Sequence, residues 1–218
     1  MNIIKIHAAM GMPSHAQTYV TKAETLSTTP DTSSKLKVVS GLIYLHNGKY
    51  KSAADKFIEA SKSIGSSFSD VISAEDTCYY AILCALATYD RNELKTQIID
   101  NFATFKNIVE SAPNLRDILL NFYNSAYSSC LHLLDKLKNK FILDINLYKH
   151  IDLLYSNIRD RALIQYFSPY ISVNINTMAT AFNCSVSDLE KELSKLIMSD
   201  KIQARIDSHN KVFLSHLS

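Results

Sequence analysis

Glycine and proline are the scarce residues of this chain, with four of each in 218 positions. Sandwiches and barrels built from many tight turns use far more of both, so the scarcity favours a helical protein. The cysteines are few and dispersed. Cys78, Cys84, Cys130 and Cys184 form no C-x-x-C, which excludes a zinc or disulfide framework. Three fall on apolar helical faces and the fourth in a turn, as small hydrophobes in a reducing compartment do. No apolar run approaches membrane-spanning length, and the first residues lack the basic–apolar–small order of a secretory signal. A soluble intracellular protein is expected. An excess of one charge is missing too. Lys and Arg number 23 against 21 Asp and Glu, a net +2, so the chain as a whole makes no case for nucleic acid or acidic lipid.

Catalytic signatures are absent as well. There is no H-E-x-x-H, no G-x-S-x-G and no Gly-rich phosphate loop. The histidines (His7, His15, His46, His132, His150, His209 and His216) are scattered, and no pair combines i, i+4 spacing with a carboxylate partner. Asp207-Ser208-His209 holds the residue types of a hydrolase triad, but neighbours on a tight turn cannot converge as nucleophile, base and orienter. Asp, Ser and Asn populate such turns for their own hydrogen-bonding reasons. No catalytic residue, metal ligand or cofactor is expected, and the chain does not read as an enzyme.

What is present is best organised in the last fifty residues. An apolar run at Tyr170, Ile171 and Val173 leads into an amphipathic stretch with Ile175, Met178, Ala179 and Phe182 on one face. A turn at 183–185 precedes a second amphipathic run carrying Val186, Leu189, Leu193, Leu196 and Ile197, the three-and-four spacing of a helix with one buried stripe. Ile202, Ala204 and Ile206 then alternate with polar residues. Residues 207–210 supply turn chemistry, and Val212, Phe213 and Leu214 resume an extended run. Strand, helix, turn, helix and a two-stranded ribbon is the order of a winged helix.

Upstream the pattern is helical throughout. Residues 2–12 look like the middle of a helix without a cap, as in a chain that starts inside a longer protein. Ser14 is placed to cap a helix through Leu26, and residues 27–34 (S-T-T-P-D-T-S-S) read as a polar loop. Over 35–64, Gly41-x-x-Tyr44 is followed by Ala53-x-x-x-Phe57 and then Ala60. These intervals match a tetratricopeptide repeat, in which small residues let two helices approach and aromatics fill the groove between them. The opening Trp and closing Pro of that pattern are absent, so a plain helical hairpin accounts for the same residues. Asn47-Gly48 ends the first helix of the pair. Ser73-x-x-Asp76 and Asp90-x-x-Glu93 resemble capping boxes. Asn114-x-x-Asp117 opens a further helix beyond Pro113, residues 127–138 form another, and 144–167 form the longest, stopped by Pro169. The expected fold is mostly α: tetratricopeptide-like helical repeats over 1–167, then a winged helix over 168–218.

Winged helices often read DNA. Here the second helix carries Asp188, Glu190, Glu192 and Asp200 against Lys191 and Lys195, and a phosphate lattice repels such a face. Arg205 and Lys211 on the ribbon are too few to compensate. Arg159-Asp160-Arg161 is either a solvated face or an ion-paired seam joining helix to wing. The ribbon itself is a surface for proteins, because exposed sheet edges pair with other strands. The candidate interface is Ile202, Ala204, Arg205, Ile206, Asp207, Val212, Phe213 and Leu214. Gly41, Tyr44, Ala53, Phe57 and Ala60 are the candidate repeat-packing residues.

Helical repeats ending in a winged helix resemble the PCI domain, shared by subunits of the proteasome lid, the COP9 signalosome and a translation initiation factor complex. C-A-L-A-T-Y-D-R-N-E-L at 84–94, R-D-R-A-L-I-Q-Y-F-S-P-Y-I-S at 159–172, M-A-T-A-F-N at 178–183 and A-R-I-D-S-H-N-K at 204–211 are similar to the signalosome branch of that family. R-D-I-L-L-N-F-Y at 116–123, Y-S-S-C-L-H-L-L-D at 127–135 and Y-V-T-K-A-E at 19–24 extend the likeness over nearly the whole chain. The resemblance implies a non-catalytic scaffold. Its complex removes the ubiquitin-like modifier Nedd8 from cullin–RING ubiquitin ligases through the metalloprotease of another subunit. The implied partners are other PCI subunits and, indirectly, cullin–RING ligases, in the cytoplasm and nucleus, with no cofactor. It also implies that 204–207 and 212–214 extend a sheet across subunits. The lid, and a winged-helix nucleic-acid binder, are the alternative readings.

Overall fold

The computed structural model describes residues 20, 22–23, 30–61, 72–101, 113–207 and 209–215. The expected helix over 2–12 lies outside them, as does nearly all of that over 14–26. Helix α1 (Pro30–His46) starts earlier than its sequence suggests. Pro30 opens the first turn, where a missing N–H leaves no bond unmade, so 30–34 are helix rather than loop. The rest of the stack is α2 (Tyr50–Ser61), α3 (Ala74–Thr88), α4 (Arg91–Leu94, continued by a π turn over Lys95–Ile99), α5 (Pro113–Tyr123), α6 (Tyr127–Ile142) and α7 (Ile151–Phe167). The wing follows as β1 (Ser172–Asn174), α8 (Ile175–Ala181), α9 (Val186–Met198), β2 (Ala204–Asp207) and β3 (Val212–Ser215).

Helix α3 is the centre of the stack. Every residue from Thr77 to Ala87 is buried, the signature of a helix covered on all sides. It lies against α2, α5 and α7. Ser73 caps it, accepting the Asp76 N–H at 2.9 Å and donating its hydroxyl to the Asp76 carboxylate. Asp90 and Glu93 complete a reciprocal capping box at the start of α4. The three cysteines on helices are buried free thiols. Burial pushes Cys78 and Cys130 up to about 12, and Cys84 upward as well, which makes them inert packing groups.

Four helices end in the same way. At Gly48, Ser125, Asn183 and Asp200 the backbone enters the left-handed region, with φ of 69°, 63°, 49° and 54°. In each case the next residue's N–H reaches back five positions: Lys49 to Tyr44, Ala126 to Asn121, Cys184 to Ala179 and Lys201 to Leu196, at 2.8–3.0 Å. This Schellman arrangement satisfies carbonyls that a helix end leaves open. Only the first uses glycine. A non-glycine residue there carries a steric cost, so Asp200→Gly is expected to stabilise the fold by about 0.5–1 kcal/mol. The shift in urea midpoint checks it.

The stretch expected to begin the longest helix at 144 does not. Residues 144–150 turn, and α7 starts at Ile151. The Asp144 carboxylate accepts the N–H groups of Asn146 and Leu147 at 2.8 and 3.0 Å and the Tyr80 hydroxyl at 2.7 Å. An aspartate satisfied by its own local N–H groups favours a turn over helix continuation. Helix α7, at 17 residues, equals α1 in length.

One hydrophobic core runs from Val38 in α1 to Phe213 in β3 without dividing at residue 167. A smaller cluster of Val20, Leu36, Val39 and Ile43 covers the other face of α1. The stack and wing meet in an aromatic joint. Tyr127 stacks on Phe182 with centroids 5.4 Å apart and rings 11° from parallel. Phe122 lies 5.5 Å from Tyr127, and Tyr166 lies 5.5 Å from Phe182. Nearby, Phe167 at the end of α7 meets Phe213 at 4.3 Å.

Candidate protein-interaction surface

The wing is assembled from local signals. The Asn174 side chain caps α8 by accepting the N–H groups of Asn176 and Thr177. Ser185 caps α9, accepting the Asp188 N–H at 3.1 Å. Helix α9 then buries Leu189, Leu193 and Leu196. The ribbon turn is built on Asp207, whose carboxylate accepts the N–H groups of His209 and Asn210 and the Asn210 side-chain amide. Those bonds, that of the Asn210 N–H first, hold its carboxyl below the usual range. Asp207 and His209 thus serve a turn, while Ser208 lies outside the described residues.

The sheet order is β1-β3-β2, both pairings antiparallel, with Val173 and Ile206 opposite Phe213. This order divides the candidate residues. Val212, Phe213 and Leu214 occupy the central strand, bonded on both sides, so they cannot extend the sheet to another chain. Phe213, Ala204 and Ile202 are 0%, 5% and 9% exposed and belong to this chain's own core. Arg205 is exposed, and Ile206, Asp207, Val212 and Leu214 are half-buried. The sheet has two edges, β1 and β2, and the candidate residues that lie on an edge strand are those of β2, with Arg205 the most exposed of them. Tyr170 and Ile171, expected to lead into β1, stand outside at 51% and 64% exposure, and of that run only Val173 is buried.

Beside the β2 edge, an open groove of about 700 Å³ runs along α9. Its helical wall is mostly polar, with Ser194, Lys195 and Met198 among the α9 residues that line it, and Ile206 forms its strand side. Met198 is 88% exposed. None of the α9 residues that line it was among the sequence candidates for an interface, although Met198 falls off the apolar stripe of α9, which is a signal for an outward apolar group.

Ion pairs settle the seam and revise the charge of α9. Arg159 Nε donates to Glu192 at 2.8 Å, Lys201 to Asp160 at 2.8 Å, and Lys211 to Glu190 at 2.9 Å. Arg159 and Asp160 thus join α7 to the wing instead of facing solvent. The expectation of a free acidic face on α9 fails, because Glu190 and Glu192 are turned to cations within the chain. Phosphate binding is disfavoured by too few cations: among the described residues, Lys195 and Arg205 are the ones on this face outside ion pairs.

Of the repeat-packing candidates, Gly41 of α1 and Phe57 of α2 meet directly. Ala53, Phe57 and Ala60 are fully buried and Tyr44 half-buried. A Cβ on Gly41 would lie 2.6 Å from the Phe57 ring. Among the described residues, no helix is long and apolar enough to cross a membrane, and no three His, Cys, Asp or Glu side chains group to hold a metal ion.

Comparison with known proteins places two family matches on the chain, 26S proteasome subunit RPN7 over residues 1–97 and the PCI domain over 132–216. The chain is 48% identical to COP9 signalosome complex subunit 1 of Arabidopsis thaliana, over 97% of this chain and 48% of the relative. It is 42% identical to COP9 signalosome complex subunit 1b of Drosophila melanogaster, over 99% of this chain and 42% of that protein. The 26S proteasome non-ATPase regulatory subunit 6 homolog of Arabidopsis thaliana is 26% identical, over 79% of this chain and 44% of its own length. The chain spans about half the length of the curated relatives it matches.

Proposed function

The chain belongs to the PCI-domain family as a homologue of COP9 signalosome complex subunit 1, and from that premise we propose that it is a non-catalytic scaffold of the signalosome. It docks to neighbouring PCI subunits through the wing and so supports Nedd8 removal from cullin–RING ubiquitin ligases by a catalytic subunit elsewhere in the complex. Its work takes place in the cytoplasm and nucleus and requires no cofactor of its own. The observation that supports the docking role is the β2 edge, bonded on one side only and flanked by a groove with Met198 at its wall. Unpaired edges and exposed apolar groups are the elements of strand addition.

A second reading, a proteasome-lid subunit of the same architecture, draws on the match of residues 1–97 to the lid subunit family. The identities, 48% to the signalosome subunit against 26% to the lid subunit, favour the first.

Ile206 packs against this chain's core, so Ile206→Asp strikes folding and docking together. Met198→Asp is the cleaner probe. In the full-length protein it is expected to lower recovery of partner PCI subunits about tenfold, the equivalent of about 1.4 kcal/mol, with Tm unchanged. Undiminished recovery would rule the groove out as the docking site.

A further inference from the structure

We propose that the corner joining α6 to α7 is a second docking surface, for an acidic segment of another polypeptide that carries apolar side chains among its carboxylates. Eight large hydrophobic residues are exposed among those described, and five of them fall here. Leu143 and Ile145 are 85% and 82% exposed, and Ile142, Tyr148 and Leu153 stand at 47–53%. The turn explains why. With Asp144 holding the chain in a turn, Phe141 and Leu147 point into the core and the apolar residues around them are left outside. A concentration of apolar groups on one short connection marks an interaction site more often than chance exposure does.

The charge around this corner says what covers it. Lys149 is exposed with Nζ 5.4 Å from the Tyr148 ring centre. The His150 ring lies 6.0 Å from that of His46, and its Nδ1 is 3.0 Å from the Tyr50 hydroxyl, one residue from exposed Lys49. The charges that act on His150 are those of His46 and Lys149, and after burial they push its basicity down. The nearby carboxylates are occupied within the chain. Asp144 serves its turn and Tyr80, and Asp152 pairs with Lys138 at 3.0 Å. Lys49, Lys149 and Lys138 outnumber Asp144 and Asp152 here, and cations in excess beside uncovered aliphatic groups fit a partner that brings carboxylates and apolar side chains together.

Two other occupants fit less well. A second copy in a two-fold contact would set one cation-rimmed patch against another. An anionic membrane is held by clusters of about four to eight basic residues or by an amphipathic helix lying in the interface, and this corner is a turn with two exposed lysines. The surface is also remote from the wing. It precedes α7 and the wing follows it, a separation of roughly 25 Å along the helix.

The test uses the full-length protein in its own cells, with photoreactive benzoylphenylalanine in place of Ile145, followed by sequencing of the cross-linked peptide. The expected product is a peptide of another polypeptide in which Asp and Glu outnumber Lys and Arg and apolar residues intervene. Its yield should fall about tenfold in a Lys49→Glu, Lys149→Glu background, where both changes are at exposed positions and circular dichroism verifies the fold. A cross-link to a basic or uncharged peptide, to a second copy of this chain, or to none would overturn the proposal. So would an unchanged yield on charge reversal, or charge-dependent sedimentation of the protein with phosphatidylserine vesicles. The readout is a peptide sequence, independent of which complex the protein joins, so it stands or falls apart from the scaffold reading.

Discussion

Phe57→Ala is expected to cost about 3–5 kcal/mol, the range for truncating a buried aromatic side chain. Phe57 is fully buried in α2 and meets Tyr80 of α3 edge-on at 5.7 Å. On its other side it touches α1 at Gly41, where a Cβ would sit 2.6–2.9 Å from three atoms of the ring. One side chain therefore spaces three helices, and its removal opens a cavity where they meet. For a chain of this size the loss lowers Tm on the order of 10 °C. The contact makes a paired prediction. Gly41→Ala alone overpacks the site and costs about 1–3 kcal/mol. Combined with Phe57→Leu it should cost less than the two changes added, because the smaller side chain vacates the space the new methyl needs. Additive costs, or a Phe57→Ala protein of normal Tm, would show that the two helices do not pack through this pair.

Phe182→Ala is expected to be comparably severe, at about 3–5 kcal/mol, for a different reason. Phe182 ends α8 and is 3% exposed, held between Tyr127 of α6 and Tyr166 of α7. It is the wing's anchor in the helical stack. With the core continuous from α1 to β3, its loss should weaken wing and stack together, and urea unfolding should remain one transition at a lower midpoint. Two separated transitions would mean that the wing folds as an independent unit.

Much of this architecture was legible in the sequence because its signals are local and periodic. The stripe Leu189, Leu193, Leu196 gave α9, the turn at 183–185 gave its start, and Asp207 with Asn210 gave the ribbon turn. Gly41 opposite Phe57 was readable because close helix packing leaves a small residue at a fixed interval from an aromatic. The failures share a different physics. The apolar run Val212, Phe213 and Leu214 after the turn showed a strand but not that the strand lies in the middle, since strand order is a long-range property. The acids of α9 looked free because sequence does not show that Arg159 and Lys211 come to meet them. Residues 144–150 resembled the start of a long helix, because hydrophobic spacing cannot distinguish a buried stripe from a turn fixed by the side chain of Asp144.

The most direct measurement of the central claim is affinity purification of the full-length parent protein from its own cells, with mass spectrometry of what co-elutes, for the native sequence and for Met198→Asp. The scaffold account predicts several other PCI proteins together with a metalloprotease-bearing subunit and cullins, all reduced by the substitution. Co-elution of proteasome subunits in their place, or of no PCI partner, would contradict it.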